Sequence, residues 1–289
     1  AAYALIAYQT AWIKTNYIHE FFVSMMTVEN NNTEKLSLFV EDAKKLGLKI
    51  LQPCINKSSY EFLIENISTT ELGIRYSLSS VKNVGTEAIK SIIKVRKKAG
   101  EFDNIDDFLN KVPYSLISKK LLESLIKCGA FDKIDSNRNK LFKSIDVMLS
   151  YSLSIDKEKS SFQSNLFNTN GITQLLINLQ DTTEWSFQES INNEFSSLGL
   201  YLSSHPLDCY SNILPKMNVT KCADIIEDPQ KYTNKNLKLC GLISKIQKRQ
   251  SPRGRWVSIQ LNDISGSLDI NIFSDVLLKY EEYLIEKNL

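Results

Sequence analysis

The chain has 289 residues, 43% of them hydrophobic and 24% charged, with a formal net charge of +2. That length accommodates two or more compact units around separate cores, and so small a net charge leaves any polyanion-binding role to local patches. Apolar runs such as residues 20–26 fall far short of the ~20 residues a membrane helix needs, and the opening AAYALIAYQTAW lacks the basic start and cleavage pattern of a signal peptide.

Five scattered cysteines (Cys54, Cys128, Cys209, Cys222, Cys240) with no CxxC pair, and only two histidines (His19, His205), fit free thiols in a reducing compartment. They argue against a disulfide frame or a zinc site. Starting on Ala1 in mid-helix without a methionine, the chain is expected to be a fragment.

Residues 1–14 place Leu5, Tyr8, Ala11 and Trp12 at helical spacing, which puts Tyr8 in a core. A second helix is expected over 19–27. A third is capped by Asn32, carries a stripe of Leu36, Phe39, Val40 and Ala43, and ends at Gly47. A short strand over 49–51 meets Pro53.

Residues 81–98, VKNVGTEAIKSIIKVRKK, have the form of a helix-hairpin-helix element. The turn Lys82-Asn83-Val84-Gly85 leads into a helix for which Thr86 is the natural cap. Such a turn aims backbone N–H groups and a positive helix end at one point, as a phosphate requires. Lys82, Lys90, Lys94, Arg96, Lys97 and Lys98 stand against Glu87 alone in residues 81–100. The pattern usually has glycine where Asn83 stands, and asparagine tolerates the left-handed backbone the turn needs. A capped helix with a solvated basic face fits the same residues. A weaker second copy, ISKKLLESLIKCGAFD, is expected as a helix over 115–128 with Gly129 in its turn and Lys119, Lys120 and Lys127 adding charge. Asp103, Asp106 and Asp107 suit capping better than metal binding, and neither a Walker loop nor a nucleophile elbow is present.

Residues 150–181 are rich in Ser, Asn, Gln and Thr and suggest a linker. Within them Gln163, Leu166 and Phe167 form a QxxLF anchor for a partner pocket; a locally packed loop is the other reading. An amphipathic helix with Trp185, Ile191, Phe195, Leu198 and Leu202 on one side follows. Three strands come next: LKLCGLISKIQKR, GRWVSIQLND and GSLDINIF, joined by SPRG and the turn at 263–266. They resemble the first part of an OB-fold barrel. Lys245, Lys248, Arg249, Arg253 and Arg255 surround Trp256 with no acid between Cys240 and Trp256, a composition suited to single-stranded nucleic acid. Trp256 itself is expected in the core. A helix over 275–287 closes the chain.

The order of these motifs is similar to that of the alpha subunits of C-family bacterial replicative DNA polymerases. AAYALIAYQTAWIKTNYIHEFF resembles that family's fingers segment, and KILQPCINKSSYEF resembles its KILPPDINxSxxxF. IRYSLSSVKNVG matches IRxGLxAIKxVG with Ser77 in place of a glycine, and LGLYLSSHPLDCY is close to LGLYLSGHPLxxY. QSNLF falls where the family carries an internal clamp-binding peptide.

The resemblance implies a mainly α chain with a C-terminal β portion. Its parts are a fingers portion (1–70), a tandem helix-hairpin-helix region (71–135), a polar linker with the clamp-binding peptide (136–183), a helical connector (184–234) and the N-terminal part of an OB-fold (235–289). It implies DNA contacts at Lys82, Asn83, Val84, Gly85, Thr86, Lys90, Lys94, Gly129, Lys248, Arg249, Arg253 and Arg255, and sliding-clamp contacts at Gln163, Leu166 and Phe167. Tyr3, Tyr8, Gln9 and Lys14 lie on the matching fingers helix. The whole subunit would be a cytoplasmic, nucleoid-associated nucleotidyltransferase working with other holoenzyme subunits. Its Mg2+ would be bound by aspartates outside this chain, which has no catalytic residue of its own. A non-enzymatic hairpin-plus-OB module of a repair protein is the competing class.

Overall fold

The computed structural model describes residues 2–160, 177, 179–251 and 254–285. Two compact units divide between Ser203 and Ser204.

The first unit begins with three helices, α1 (Ala2–Asn16), α2 (Ile18–Val28) and α3 (Thr33–Lys45). The Asn32 side chain caps α3 by accepting from Lys35 N–H at 3.1 Å. Gly47 ends it in the left-handed region (φ 82°), and Leu48 N–H returns to Ala43 O at 2.9 Å. Leu36, Val40 and Ala43 are buried as their spacing dictates. The stripe on α1 behaves differently. Tyr8 is 67% exposed, and Leu5 and Trp12 are exposed with it. The expectation that Tyr8 is core is therefore corrected: periodicity puts these side chains on one face, but among the described residues that face is largely exposed.

Strands β1 (Lys49–Leu51), β2 (Leu63–Asn66) and β3 (Leu72–Arg75) form a sheet of order β1-β3-β2. The first pair is parallel and the second antiparallel. Arg75 clamps Glu65 through two hydrogen bonds of 2.6 and 2.8 Å, and donates to Gln52 O at 2.7 Å. Then come α4 (Thr86–Ala99), α5 (Ile105–Lys111), α6 (Lys119–Lys127), α7 (Arg138–Lys143), α8 (Ile145–Ser160) and α9 (Phe187–Leu198). One buried core runs from Phe22 to Leu202, with Phe102, Phe108 and Phe131 packed edge to face at 5.1 Å.

Three boundaries differ from the expected ones. The helix expected over 115–128 is two pieces, a single 3-10 turn (Tyr114–Leu116) and α6, because Ile117 is extended and the Ser118 side chain caps α6 through Leu121 N–H. The polar region expected as linker from residue 136 instead holds α7 and α8, which reaches Ser160. Trp185 precedes the Ser186 cap of α9 and Leu202 follows its Gly199 end, yet both pack on the same core.

In the second unit, α10 (Cys222–Glu227) and α11 (Pro229–Tyr232) precede β4 (Leu242–Ser251), β5 (Gly254–Asn262) and β6 (Ser267–Ile272). These strands form an antiparallel meander. The 263–266 turn forms around Asp263. Its Oδ1 accepts from Ser265 and Gly266 N–H, and its Oδ2 accepts from Cys222 N–H at 2.8 Å. Burial opposes the charge, but these bonds outweigh it and hold the carboxyl below the usual range. Helix α12 (Ser274–Tyr280) buries Leu277 against Ile243, Val257, Ile259 and Leu261; it ends earlier than the expected residue 287, in a 3-10 turn (Glu281–Tyr283). The fold is mainly α with a C-terminal three-stranded portion, and no barrel closes among the described residues.

Candidate nucleic-acid interface

The turn before α4 is anchored from below and open above. Val81 and Val84 are buried, and Val84 N–H closes the turn onto Val81 O. Asn83 sits at its exposed apex with φ 63°, the left-handed conformation for which asparagine is suited. Lys82 N–H donates to Ser197 O at 2.9 Å, and its ammonium packs close over Gly199. A cation thus meets the negative end of α9.

Thr86 was expected to cap α4; Gly85 does so instead. The chain is extended at Gly85 (φ −73°, ψ 132°), so the helix starts one residue earlier than a hydroxyl cap would have it. Gly85 offers no side chain, and the first-turn N–H groups of α4 receive no side-chain cap. A β-carbon added at Gly85 would meet nothing within 4 Å. Glycine is therefore not demanded there by backbone strain or by packing within the chain.

On α4, Ile89, Ile92 and Ile93 enter the core, while Lys94, Lys97 and Lys98 are exposed. Lys90 pairs with Glu87 at 2.8 Å. Arg96 turns inward to donate to Ile55 O, and burial lowers its pKa. The basic face expected from the sequence is real but smaller, because Lys82, Lys90 and Arg96 are engaged within the chain.

Gly129 is a different case. It has φ 76°, and a β-carbon there would lie 2.2 Å from Arg138 Nη2 and 2.7 Å from Asp132 Oδ2. Arg138 is itself fixed by two bonds to Asp132, of 2.8 and 2.6 Å. Gly129 is buried, so the expectation that it contacts DNA is corrected: glycine is required here for packing and for a left-handed turn. Two of the second hairpin's lysines are also engaged, Lys119 with Asp146 and Lys127 over the Phe142 ring, while Lys120 is exposed. Glu194 on α9, absent from the expected site residues, is 1% exposed, and its Oε1 accepts from Leu202 and Ser203 N–H. Its signal was a carboxylate on the apolar stripe between Ile191 and Leu198.

In the second unit, Val257, Ile259 and Leu261 face the core, so Trp256 lies on the opposite face of β5. This corrects the expectation that Trp256 is core. Arg249 pairs across from it, its guanidinium 5.3 Å from the ring centre, and Phe273 lies at 6.3 Å on the other side. Lys248 pairs with Val257 on the core side and meets Glu281 at 3.1 Å, away from this platform. Arg255 is exposed near the hairpin tip. Arg253, Gln163, Leu166 and Phe167 lie outside the described residues.

Among the described residues no group of three or more histidine, cysteine, aspartate or glutamate side chains converges as a metal site. Asp107 accepts from Asp103 N–H and Lys111 Nζ, and Asp106 accepts from Ile177 N–H. No helix among the described residues is long and apolar enough to cross a membrane.

A family model described as a helix-hairpin-helix motif matches residues 47–141. The whole chain aligns with the DNA polymerase III subunit alpha of Borreliella burgdorferi at 33% identity, covering 25% of that protein. The corresponding subunit of Rickettsia prowazekii is 32% identical over 99% of the chain and 27% of its own length. That of Caulobacter vibrioides is 30% identical over 98% and 24%. The chain spans about a quarter of the length of the curated relatives it matches. Along essentially its entire length the chain is similar to DNA polymerase III alpha subunits, and its first unit carries the hairpin motif.

Proposed function

We propose that this chain is the DNA-gripping portion of a template-directed bacterial replicative polymerase. The observation that carries the reading is the uncapped start of α4 behind the left-handed Asn83, with Lys94, Lys97 and Lys98 exposed along the same helix. Backbone N–H groups at a positive helix end suit a phosphate and read no sequence. Duplex DNA is the ligand assigned to this turn.

The Arg249–Trp256–Phe273 platform is assigned to unpaired template bases, which stack on aromatic and guanidinium planes. Clamp docking is assigned to Gln163, Leu166 and Phe167 from the sequence pattern. The rest of the role belongs to the whole enzyme. Nucleotidyl transfer with Mg2+ would use carboxylates outside this chain, alongside other holoenzyme subunits in a cytoplasmic, nucleoid-associated assembly.

Anisotropy titrations with a labelled duplex and a labelled single strand test the two assignments together. Lys94→Ala should weaken duplex binding evenly across sequences and flatten the salt dependence by about one charge. Trp256→Ala should weaken single-strand binding by about 1–3 kcal/mol and leave the duplex unaffected. Equal losses on both ligands for both variants would remove the division of labour.

A further inference from the structure

Glu87 is the sole acidic side chain in residues 81–100, and it stands in the first turn of α4. The two members of its ion pair are unequally placed. The Glu87 side chain is 86% exposed, whereas that of Lys90 is 39% exposed and lies 5.5 Å from the centre of the Tyr60 ring. Tyr60 is fixed in turn, its carbonyl accepting from the Ser77 and Ser79 hydroxyls. Lys90 thus has one contact from outside its own helix, the Tyr60 ring, and Glu87 is the outer partner. The hydrogen bond from Lys90 holds the Glu87 carboxyl below its ordinary value.

A carboxylate in a helix's first turn, bonded to a lysine one turn on, satisfies the same positive helix end and the same cation that a phosphate would. Gly85 adds no side chain that competes for this place. On the reading that α4 receives a DNA phosphate, we infer that Glu87 is a built-in competitor for that phosphate. It occupies Lys90 in the DNA-free chain and swings aside when the backbone docks. The device lowers non-specific affinity and eases release, which suits a protein that must move along its ligand.

Exposed pairs of this kind are weak, so the effect is modest. Glu87→Gln keeps the side-chain shape and removes the charge. It should tighten duplex binding by about three- to fivefold, the order expected for removing one like charge near a phosphate. In a Lys90→Ala background the same change should gain less than about twofold, because the contested cation is gone. The test is duplex anisotropy at one salt concentration for wild type, Glu87→Gln, Lys90→Ala, the double variant and Gly85→Val. A gain as large without Lys90 as with it would make Glu87 a bystander charge and overturn the inference. So would a Glu87→Gln affinity equal to wild type while Gly85→Val binds weakly, which leaves the hairpin reading standing. Equal binding by wild type and Gly85→Val would instead overturn the hairpin reading, and the inference with it.

Discussion

Two glycine-containing turns in the first unit carry similar local sequence and do opposite work. At Gly85 the backbone is ordinary, φ −73°, and the space where a β-carbon would stand is open. At Gly129 the backbone is left-handed, φ 76°, and that space is filled by Arg138 and Asp132. The first turn presents uncapped N–H groups to solvent; the second is a packed corner whose Ala130 carbonyl accepts from Ile55 N–H at 2.8 Å. A glycine with no internal reason to be glycine points outward, toward whatever must approach the backbone closely.

The comparison breaks first at Gly129. Gly129→Ala adds a left-handed β-carbon, about 1–2 kcal/mol, to an overpacked contact of about 1–3 kcal/mol. A loss of about 3 kcal/mol in a denaturant melt is expected, with duplex affinity of the folded protein unchanged. A near-wild-type melt would show that Arg138 yields easily. Asn83→Ala comes next, at about 1 kcal/mol for the left-handed backbone, with weakened duplex binding; Asn83→Gly should keep both stability and binding. If Asn83→Ala bound duplex as wild type does, the turn's conformation would not matter to the ligand.

A pH experiment gives the next effect, in a part of the unit away from both turns. The Arg75 hydrogen bonds lower the Glu65 carboxyl from 4.5 to about 2, against a smaller opposing effect of burial. A group with a depressed folded pKa stabilises the fold above its unfolded value and loses that contribution as pH falls from about 4.5 to about 2. Discounted for solvent screening, the contribution is about 1 kcal/mol. Glu65→Gln should therefore be less stable than wild type at pH 7 and nearly equal to it near pH 2. An equal gap at both would contradict the sign. Smallest is Gly85→Ala, which should change the melt by less than about 0.5 kcal/mol.

Much of this was legible where one residue decides local structure. Asn32 and Gly47 bracket α3 as expected, and Asn83 adopts the left-handed backbone its identity allows. What a distant side chain decides was not legible. Nothing near Gly129 in sequence announces that Arg138, nine residues on, will cover it. The stripe of Leu5, Tyr8 and Trp12 told which side chains share a face, not what covers that face. For Trp256 the sequence does carry the signal: it is out of phase with Val257, Ile259 and Leu261, so in a strand it cannot share their side. Residues 145–160 are serine-rich with weak amphipathic patterning, and their helix is held by tertiary contacts such as Asp156 accepting from Tyr114 N–H at 3.0 Å.

The role of the open turn is decided by titrating duplex DNA at several salt concentrations with wild type and Gly85→Val, beside a melt of each. A β-carbon at residue 85 meets nothing within 4 Å, so the melt should fall only by the N-cap preference for glycine over valine, about 1 kcal/mol. Duplex binding by the folded variant should be about tenfold weaker, with a flatter salt dependence. Identical affinity and identical salt slope in the two proteins would contradict the assignment of DNA to this turn.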